Sequence, residues 1–319
     1  MIRSFLRYSW LLPFIAMNTA CAVYKIEPRP EKLAPFTAEL LAQQPDDAFV
    51  SVYSVGEKRL IWMGAKHSTQ TNSLTFQLIL DAYDRFAIDT VIVEGLLTSE
   101  GSNSEVLIDY ARAEAAKEND GFQPGGETVP SVLGALEAGA TLFGGEPEDS
   151  DILRRALQQG LSEDDLLGFY TMRSIPQWIR ERQISDASDP QIEPLLTEEL
   201  ERNRTRLGLS DSVLPDVDTW REWYEATNGK PLAADFVTEE AGPRADGRFG
   251  TNLTGAAISK ARAAHLHEFT VSQLNADKTV MVVFGASHLM IHRPALDSAL
   301  GEPCYSGSNF DEAMPACFN

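Results

Sequence analysis

Two apolar stretches decide the fold class, and each ends in a glycine that is followed three residues later by a histidine. They are RLIWMGAKHS at residues 59–68 and TVMVVFGASHL at residues 279–289. Short apolar runs rich in valine, isoleucine and methionine are typical of strands that are buried on both faces of a sheet. The second run is predicted to be the most apolar strand in the chain.

Helices and strands alternate around these two stretches. A hairpin is predicted to end in the first stretch, with its turn at Gly56–Lys58, and a helix and a strand follow at residues 73–87 and 89–95. A strand, a helix and a second strand in this order indicate a parallel βαβ unit.

The alternation continues along the chain, with a long amphipathic helix at residues 256–274 before the last strand. The sequence predicts an α/β fold, with a central, mostly parallel sheet flanked by helices and a helical insertion. The α/β domain is expected over residues 47–303. Insertions are expected at about 98–128 and 161–250, and a C-terminal tail at 304–319.

The chain has 319 residues and a formal net charge of -20. That length is enough for one large domain or two small ones. The negative charge argues against nucleic-acid binding, which needs a basic surface to meet the phosphates.

Residues 1–21 are predicted to be a signal peptide, because basic residues precede a short apolar run. Asn18-Thr19-Ala20-Cys21 is similar to a bacterial lipobox, which predicts a periplasmic protein held to a membrane only by lipid on Cys21. Ordinary cleavage around Ala20 or Ala22 is the alternative. The proline-rich residues 22–46 are predicted to form an extended tether.

The chain has three cysteines. If Cys21 carries lipid, Cys304 and Cys317 remain as a disulfide pair, which would suit an oxidising compartment. Two free thiols in the C-terminal tail are the alternative.

Polar side chains stand at four predicted strand ends: His67, Glu94, Glu146 and His288. Ligands of open α/β sheets bind beyond the carboxyl ends of the strands, so we expect these four side chains at one edge of the sheet. The glycine before each histidine is expected to allow a sharp turn.

Two imidazoles and a carboxylate are donors that suit Zn²⁺, Mn²⁺, Co²⁺ or Fe²⁺ with one position open for water. We interpret His67, His288 and Glu94 as metal ligands. Glu94 and Glu146 are the catalytic carboxylates, one as ligand and the other as base. Arg262 is a third catalytic candidate, which would clamp a substrate carboxylate or orient a glutamate.

Each of these residues also fits an ordinary structural role. Glu146, for example, precedes a helix, whose dipole stabilises a carboxylate. His265, His267 and His292 show no spacing that indicates a ligand. His267-Glu268 begins a zinc-protease motif, but Val271 stands where its second histidine would be. The sequence also lacks a G-x-S-x-G elbow, a P-loop and a dinucleotide fingerprint.

The ordered set of motifs resembles the TraB/GumN/TIKI superfamily, which is related to erythromycin esterases and to the haem-binding lipoprotein ChaN. The resemblance covers roughly residues 47–300 and is carried by four motifs: Gly64-Ala65-Lys66-His67, Glu94-Gly95, Gly144-Gly145-Glu146-Pro147 and Gly285-Ala286-Ser287-His288. Arg262 is similar to the arginine of the family's late helix, although Ala263 and Leu266 replace the asparagine and methionine that usually follow it.

The resemblance implies an α/β fold with helical insertions. Its TIKI branch implies a metal-dependent peptidase, and other branches imply peptide-pheromone shutdown or ester hydrolysis. ChaN-like members imply tetrapyrrole binding without catalysis.

We therefore expect an exported, membrane-anchored, metal-dependent hydrolase with a peptide or small-molecule substrate. One alternative is a lipoprotein that binds haem or another small molecule, with the same histidines as axial ligands. The other is an interaction module on a degenerate enzyme fold. The sequence leaves the substrate, the metal and the oligomeric state open.

Overall fold

The computed structural model describes residues 25–276 and 279–317. The predicted signal peptide, Cys21 and the first residues of the predicted tether lie outside the described residues. No helix in the described ranges is both long enough and apolar enough to cross a membrane.

A sheet of six strands forms the centre of the molecule, in the order β4-β3-β5-β2-β1-β6. Strands β4, β3, β5 and β2 run parallel, and β1 and β6 are antiparallel to their neighbours. The predicted α/β fold with a mostly parallel sheet is confirmed. The strands are β1 (Phe49–Val55), β2 (Lys58–Ala65), β3 (Thr90–Leu97), β4 (Thr141–Glu146), β5 (Thr279–Gly285) and β6 (Tyr305–Gly307).

Helices cover both faces of the sheet and form the insertion. They are α1 (Ala38–Ala42), α2 (Leu74–Arg85), α3 (Glu105–Ala115), α4 (Thr128–Ala138), α5 (Asp149–Gln158), α6 (Glu163–Met172), α7 (Ile175–Arg180), α8 (Ile192–Leu207), α9 (Val217–Asn228), α10 (Gly250–Ala276), α11 (Ala286–Leu300) and α12 (Ala313–Cys317). Short 3-10 helices lie at Pro30–Lys32, Thr98–Glu100 and Thr238–Ala241.

Strand β5, the most apolar strand predicted from the sequence, lies inside the sheet between β2 and β3. Successive side chains of a strand point to opposite faces. Met281 and Val283 therefore pack in the core that includes residues of α2 and α4. Val280 and Val282 pack in the core that includes residues of α10 and α11. Both faces are covered, which is why this strand is apolar from Val280 to Phe284.

The predicted helical insertion at residues 161–250 contains α6 to α9, which have their own hydrophobic core. Trp220 and Tyr224 are fully buried in that core, which also includes residues of α5 and Ile258 of α10. The first insertion, at about 98–128, contains α3. Leu107 and Ala111 of this helix pack in the core of the sheet.

Residues 25–46 do not form the extended tether that the sequence predicted. Ile26 is buried with residues of α10 and α11, and its main chain exchanges two hydrogen bonds with the Asn275 side chain. The Arg29 N–H donates to His267, and the Ala34 N–H donates to the Ile291 carbonyl. Apolar residues among the prolines thus attach the segment to the domain.

The C-terminal residues 304–317 also belong to the domain rather than forming a free tail. β6 pairs with β1, and a disulfide joins Cys304 to Cys317 with their Cα atoms 5.4 Å apart. Phe310 and Ala313 are fully buried. The segment covers β1, whose unpaired edge would otherwise be open to pairing with another chain.

Candidate functional site

The four polar residues predicted at strand ends lie at the carboxyl edge of the four parallel strands. His67 follows β2, and Glu94 and Glu146 lie near the ends of β3 and β4. His288 is in the first turn of α11, directly after β5. Parallel strands bring these residues to the same edge, as the sequence analysis expected.

Glu94 is the central carboxylate of the site. It points to the same face of β3 as Ile92, and Gly95 follows in a left-handed conformation (φ 89°) where the pairing with β4 shifts. One Glu94 oxygen accepts a hydrogen bond of 2.7 Å from the Gly285 N–H. The other lies 3.5 Å from Nε2 of His288. Glu94 therefore links the end of β3 to the start of α11.

Glu94 is held as a carboxylate. Burial alone would raise its pKa, but the hydrogen bonds from His288 and Gly285 and the nearby histidine charges lower the pKa to about 2. The N-terminal end of α11 adds a favourable dipole. A base works best with a pKa near the working pH, so Glu94 fits a ligand role better than a base role.

His67 is held by a residue that the sequence analysis missed. Its Nδ1 is bonded to the Glu127 carboxylate, whose second oxygen lies 3.4 Å from the Ser68 N–H. The hydrogen bond to Glu127 raises the pKa of His67 more than burial lowers it. Burial by itself would raise the pKa of Glu127, but the contacts with His67 lower it. His67 and Glu127 therefore form an ion pair whenever the histidine is protonated.

Glu127 lies in the first insertion, immediately before α4, where no strand-end pattern marks it. The sequence signal was the pair Gly125-Gly126. Both have left-handed conformations, and a Cβ on Gly126 would lie 2.9 Å from the Ser68 carbonyl oxygen. These glycines bring the start of α4 next to the residue that follows His67.

Gly285 separates the His67 ring from Glu94. A Cβ at this position would lie 3.0 Å from Nε2 of His67 and 3.5 Å from Oε2 of Glu94. Since Nδ1 of His67 is bonded to Glu127, Nε2 is the nitrogen that faces Gly285 and Glu94. The small residue at position 285 keeps the space between the imidazole and the carboxylate open.

The predicted sharp turn is wrong for Gly64, whereas at Gly285 the chain does pass directly from β5 into α11. Gly64 lies inside β2, and a Cβ there would be 2.9 Å from the Phe49 ring and 3.1 Å from Cα of Ala286. Gly285 is the residue before α11, with an ordinary negative φ of −51°. Both glycines are required for close approach between chain segments rather than for a left-handed turn.

Arg262 holds Glu146 through two parallel hydrogen bonds. Nε donates to one carboxylate oxygen at 2.9 Å, and Nη2 donates to the other at 2.6 Å. Among the described residues, the Glu146 side chain makes hydrogen bonds with Arg262 alone. The geometry gives Arg262 the orienting role that was one of its predicted roles. It leaves Glu146 poorly arranged for the predicted role of ligand or base.

The remaining histidines lie outside this cluster. His265 contacts Thr98 through Nε2 at 2.8 Å. His267 and His292 are fully buried, and His292 packs 4.5 Å from the Trp62 ring. They belong to the packing of α10 and α11 against the sheet.

The donor types suit a divalent transition metal, and His67 has the carboxylate partner that orients many metal-binding histidines. In their present positions, the described side chains include no group of three or more His, Cys, Asp or Glu residues that could hold a metal ion. Glu94 is instead engaged by His288. The other ring nitrogen of His288 is buried and has no hydrogen-bond partner among the described residues. Among the described residues, Glu94 is thus the polar contact of the His288 ring. A metal ion bound between His288 and Glu94 would replace this contact.

A cleft of about 380 Å³ opens beside Glu94. Its walls are formed by the end of β3 and by α3, with Val106 and Tyr110 exposed to solvent. The first insertion thus forms one side of the space next to the site. An apolar substrate group would fit against it.

No protein-family model, curated protein or solved structure matches this chain. The resemblance to the TraB/GumN/TIKI superfamily rests on the four motifs alone and stays a prediction.

Proposed function

We propose that this protein is a metal-dependent hydrolase of peptides, in which His67, Glu94 and His288 hold the ion. The observation that carries the proposal is the His67 ring. Glu127 occupies its Nδ1, and its Nε2 faces the Glu94 carboxylate across Gly285. A carboxylate behind an imidazole fixes the ring and makes its other nitrogen a better ligand.

A divalent transition ion bound there would act as a Lewis acid on the carbonyl of an amide or ester. The chain's own groups have separate tasks. Glu94 supplies a carboxylate that stays ionised, since its pKa is lowered to about 2. Glu127 orients His67. Arg262, fixed by Glu146, supplies a positive charge beside the site.

The cleft next to Glu94 supports a substrate with an apolar group. It is lined by Leu96, Val106, Leu107 and Tyr110 together with Glu94. A peptide side chain lying there would bring the adjacent amide to the carboxyl edge of the sheet. The cleft also excludes part of the solvent from that amide, which strengthens the electrostatic interactions at the site.

The proposed location is the periplasm, with an anchor at Cys21. The disulfide between Cys304 and Cys317 supports export, because disulfides persist in oxidising compartments and are rare in the cytosol.

Metal content tests the proposal directly. The purified protein and the double variant His67→Ala/His288→Ala are exposed to Zn²⁺, Mn²⁺ and Co²⁺, and bound metal is quantified by mass spectrometry. We expect near-stoichiometric metal in the wild type and loss of metal in the double variant. His265→Ala is the control, because it removes an imidazole outside the cluster and should keep the metal.

The loaded protein is then screened against a peptide library. Metal binding that survives the double variant would contradict the ligand assignment. No metal in any form would end the metallohydrolase hypothesis. A Soret band after haem titration that disappears in the same double variant would favour the haem-binding alternative instead.

A further inference from the structure

A small pocket lies between α6 and α10, beside the Arg262–Glu146 pair. It has a volume of about 90 Å³, and two arginines line it, Arg173 and Arg262. Phe169, Ile258 and Pro243 supply apolar walls, and Gly255 and Ser259 add small residues. We call this space the arginine pocket.

The positive charge at the arginine pocket exceeds the negative charge. Arg262 is paired with Glu146, and Arg206 lies 3.1 Å from Asp149. Within the described part of the chain, no carboxylate lies within ion-pairing distance of Arg173. The three guanidinium groups of Arg173, Arg206 and Arg262 thus have two carboxylate partners between them. One positive charge is left unbalanced.

Tyr170 is the centre of this group of arginines. Arg206 lies over its ring at 4.7 Å from the centroid, and Arg173 lies at 5.6 Å. Burial raises the pKa of Tyr170, so the phenol is neutral near pH 7 and does not balance Arg173.

The charges around Arg173 also favour a bound anion. Burial lowers the pKa of Arg173, and the like charges of Arg262 and Arg206 lower it further. A bound anion would relieve this repulsion. Although neighbouring groups cover part of Arg173, the rest of the residue is exposed to solvent, so an anion could reach it. In a chain with a net charge of -20, Arg173 thus lines a pocket with no carboxylate partner among the described residues.

Arg262 connects the arginine pocket to the site. It lines the pocket, and the charges of Glu146 and Glu94 both act on it, opposing the effect of burial and raising its pKa. A ligand that contacts Arg173 and Arg262 therefore lies close to the carboxylates at the strand ends.

We infer that the arginine pocket binds a carboxylate group of the substrate, which would be a peptide with a free C-terminus or an acidic side chain next to the scissile bond. The inference deepens the proposed function and rests on it. The guanidinium group presents N–H donors in a planar fork that matches a carboxylate. The small volume of the pocket suits a group of this size, and the apolar cleft beside Glu94 would accept the neighbouring residue.

Calorimetric titration with matched small peptides tests the inference. The probes are N-acetyl-alanyl-alanine and its C-terminal amide, with inorganic phosphate as a third ligand. The proteins are the full chain, Arg173→Ala and Arg173→Glu. Hydrogen bonds to charged groups contribute about 1.5–3 kcal/mol, so we expect Arg173→Ala to bind the free acid about tenfold more weakly or worse. Arg173→Glu should not bind it, and the amide should bind weakly to every form.

Arg154→Ala is the matched control. It also removes one positive charge, but Arg154 pairs with Asp151 in its own helix, away from the pocket. It should bind the free acid like the wild type. Circular dichroism confirms that the variants are folded, which is expected because Arg173 is exposed.

Equal affinity for the free acid and the amide would overturn the inference, and so would unchanged binding in Arg173→Glu. Binding of phosphate without binding of the free acid would overturn the carboxylate assignment. The titration is made with metal-free protein and needs no turnover. Intact binding without hydrolysis after metal loading would therefore reject the proposed function and leave the anion site standing.

Discussion

The contact between His67 and Glu127 sets the charge of the histidine. Because the pKa of His67 is raised, its protonated form stabilises the fold. That contribution is complete below the ordinary value of 6.5 and is lost as the pH rises through the raised pKa. The imidazole must lose this proton before Nε2 can bind a metal, so metal affinity should rise with pH over the same range.

Glu127→Gln should lower the pKa of His67, because the amide cannot replace the negative charge of the carboxylate. An NMR titration of the imidazole ring measures this pKa directly. Glu105→Gln, at the exposed start of α3, is the control and should leave the His67 titration unchanged. A His67 pKa that stays raised in Glu127→Gln would show that Glu127 is not its main partner.

The lowered pKa of Glu94 predicts a loss of stability in acid. Its pKa is lowered from 4.5 to about 2, so its contribution is present above pH 4.5 and is lost as the pH falls through about 2. The contribution is on the order of 3–4 kcal/mol, since one pKa unit corresponds to about 1.4 kcal/mol. Glu94→Gln should therefore have a lower free energy of unfolding at pH 7 and a weaker dependence on pH between 4.5 and 2.

Urea unfolding at a series of pH values measures this difference. Glu225→Gln, on the exposed surface of α9, should reproduce the wild-type pH dependence. An equally steep loss of stability in Glu94→Gln would mean that other carboxylates cause the acid sensitivity.

Among the elements, β6 and α12 depend most on a covalent link. The disulfide closes a segment in which the two cysteines are 13 residues apart. Loops of this size are stabilised by about 3 kcal/mol in the chain-entropy treatment of disulfides. β6 is only three residues long and pairs with β1 at the edge of the sheet, so it has few other contacts to hold it.

Cys304→Ser/Cys317→Ser should lower the free energy of unfolding by about 2–4 kcal/mol. Urea unfolding of the variant is compared with that of the wild type, with and without reductant. Reductant should destabilise the wild type and leave the variant unchanged. If the two proteins unfold alike without reductant, the covalent link contributes nothing to stability.

The whole molecule combines a sheet with two cores, one on each face, and a helical insertion with a third. Trp220 is fully buried in the insertion, and its indole N–H donates to the Gly168 carbonyl at 3.1 Å. Trp62 is fully buried in the sheet on the face of α10 and α11. These two residues allow the cores to be perturbed separately.

Trp220→Ala should destabilise the insertion by about 3–5 kcal/mol, the range for such truncations in a core. Hydrogen exchange should show lost protection in α6, α8 and α9, with protection retained in β2 and β5. Trp62→Ala should give the reverse pattern. Uniform loss of protection in both variants would show that the two regions unfold as one unit.

Some features of this protein were determined by the sequence itself. The apolar runs and helical periodicity predicted the α/β fold and the helical insertion. The four polar strand ends were predicted to share one edge of the sheet, and they do. Both predictions succeed because side-chain periodicity is a local property and parallel strands necessarily end at the same edge.

Other features were decided by the tertiary structure. Glu127 meets His67 across 60 residues of sequence, and Arg262 meets Glu146 across 116. The contact of Arg206 with the Tyr170 ring and the packing of residues 25–46 onto the domain are of the same kind. No local pattern encodes such contacts, because they depend on where distant segments cross after the sheet and helices have packed.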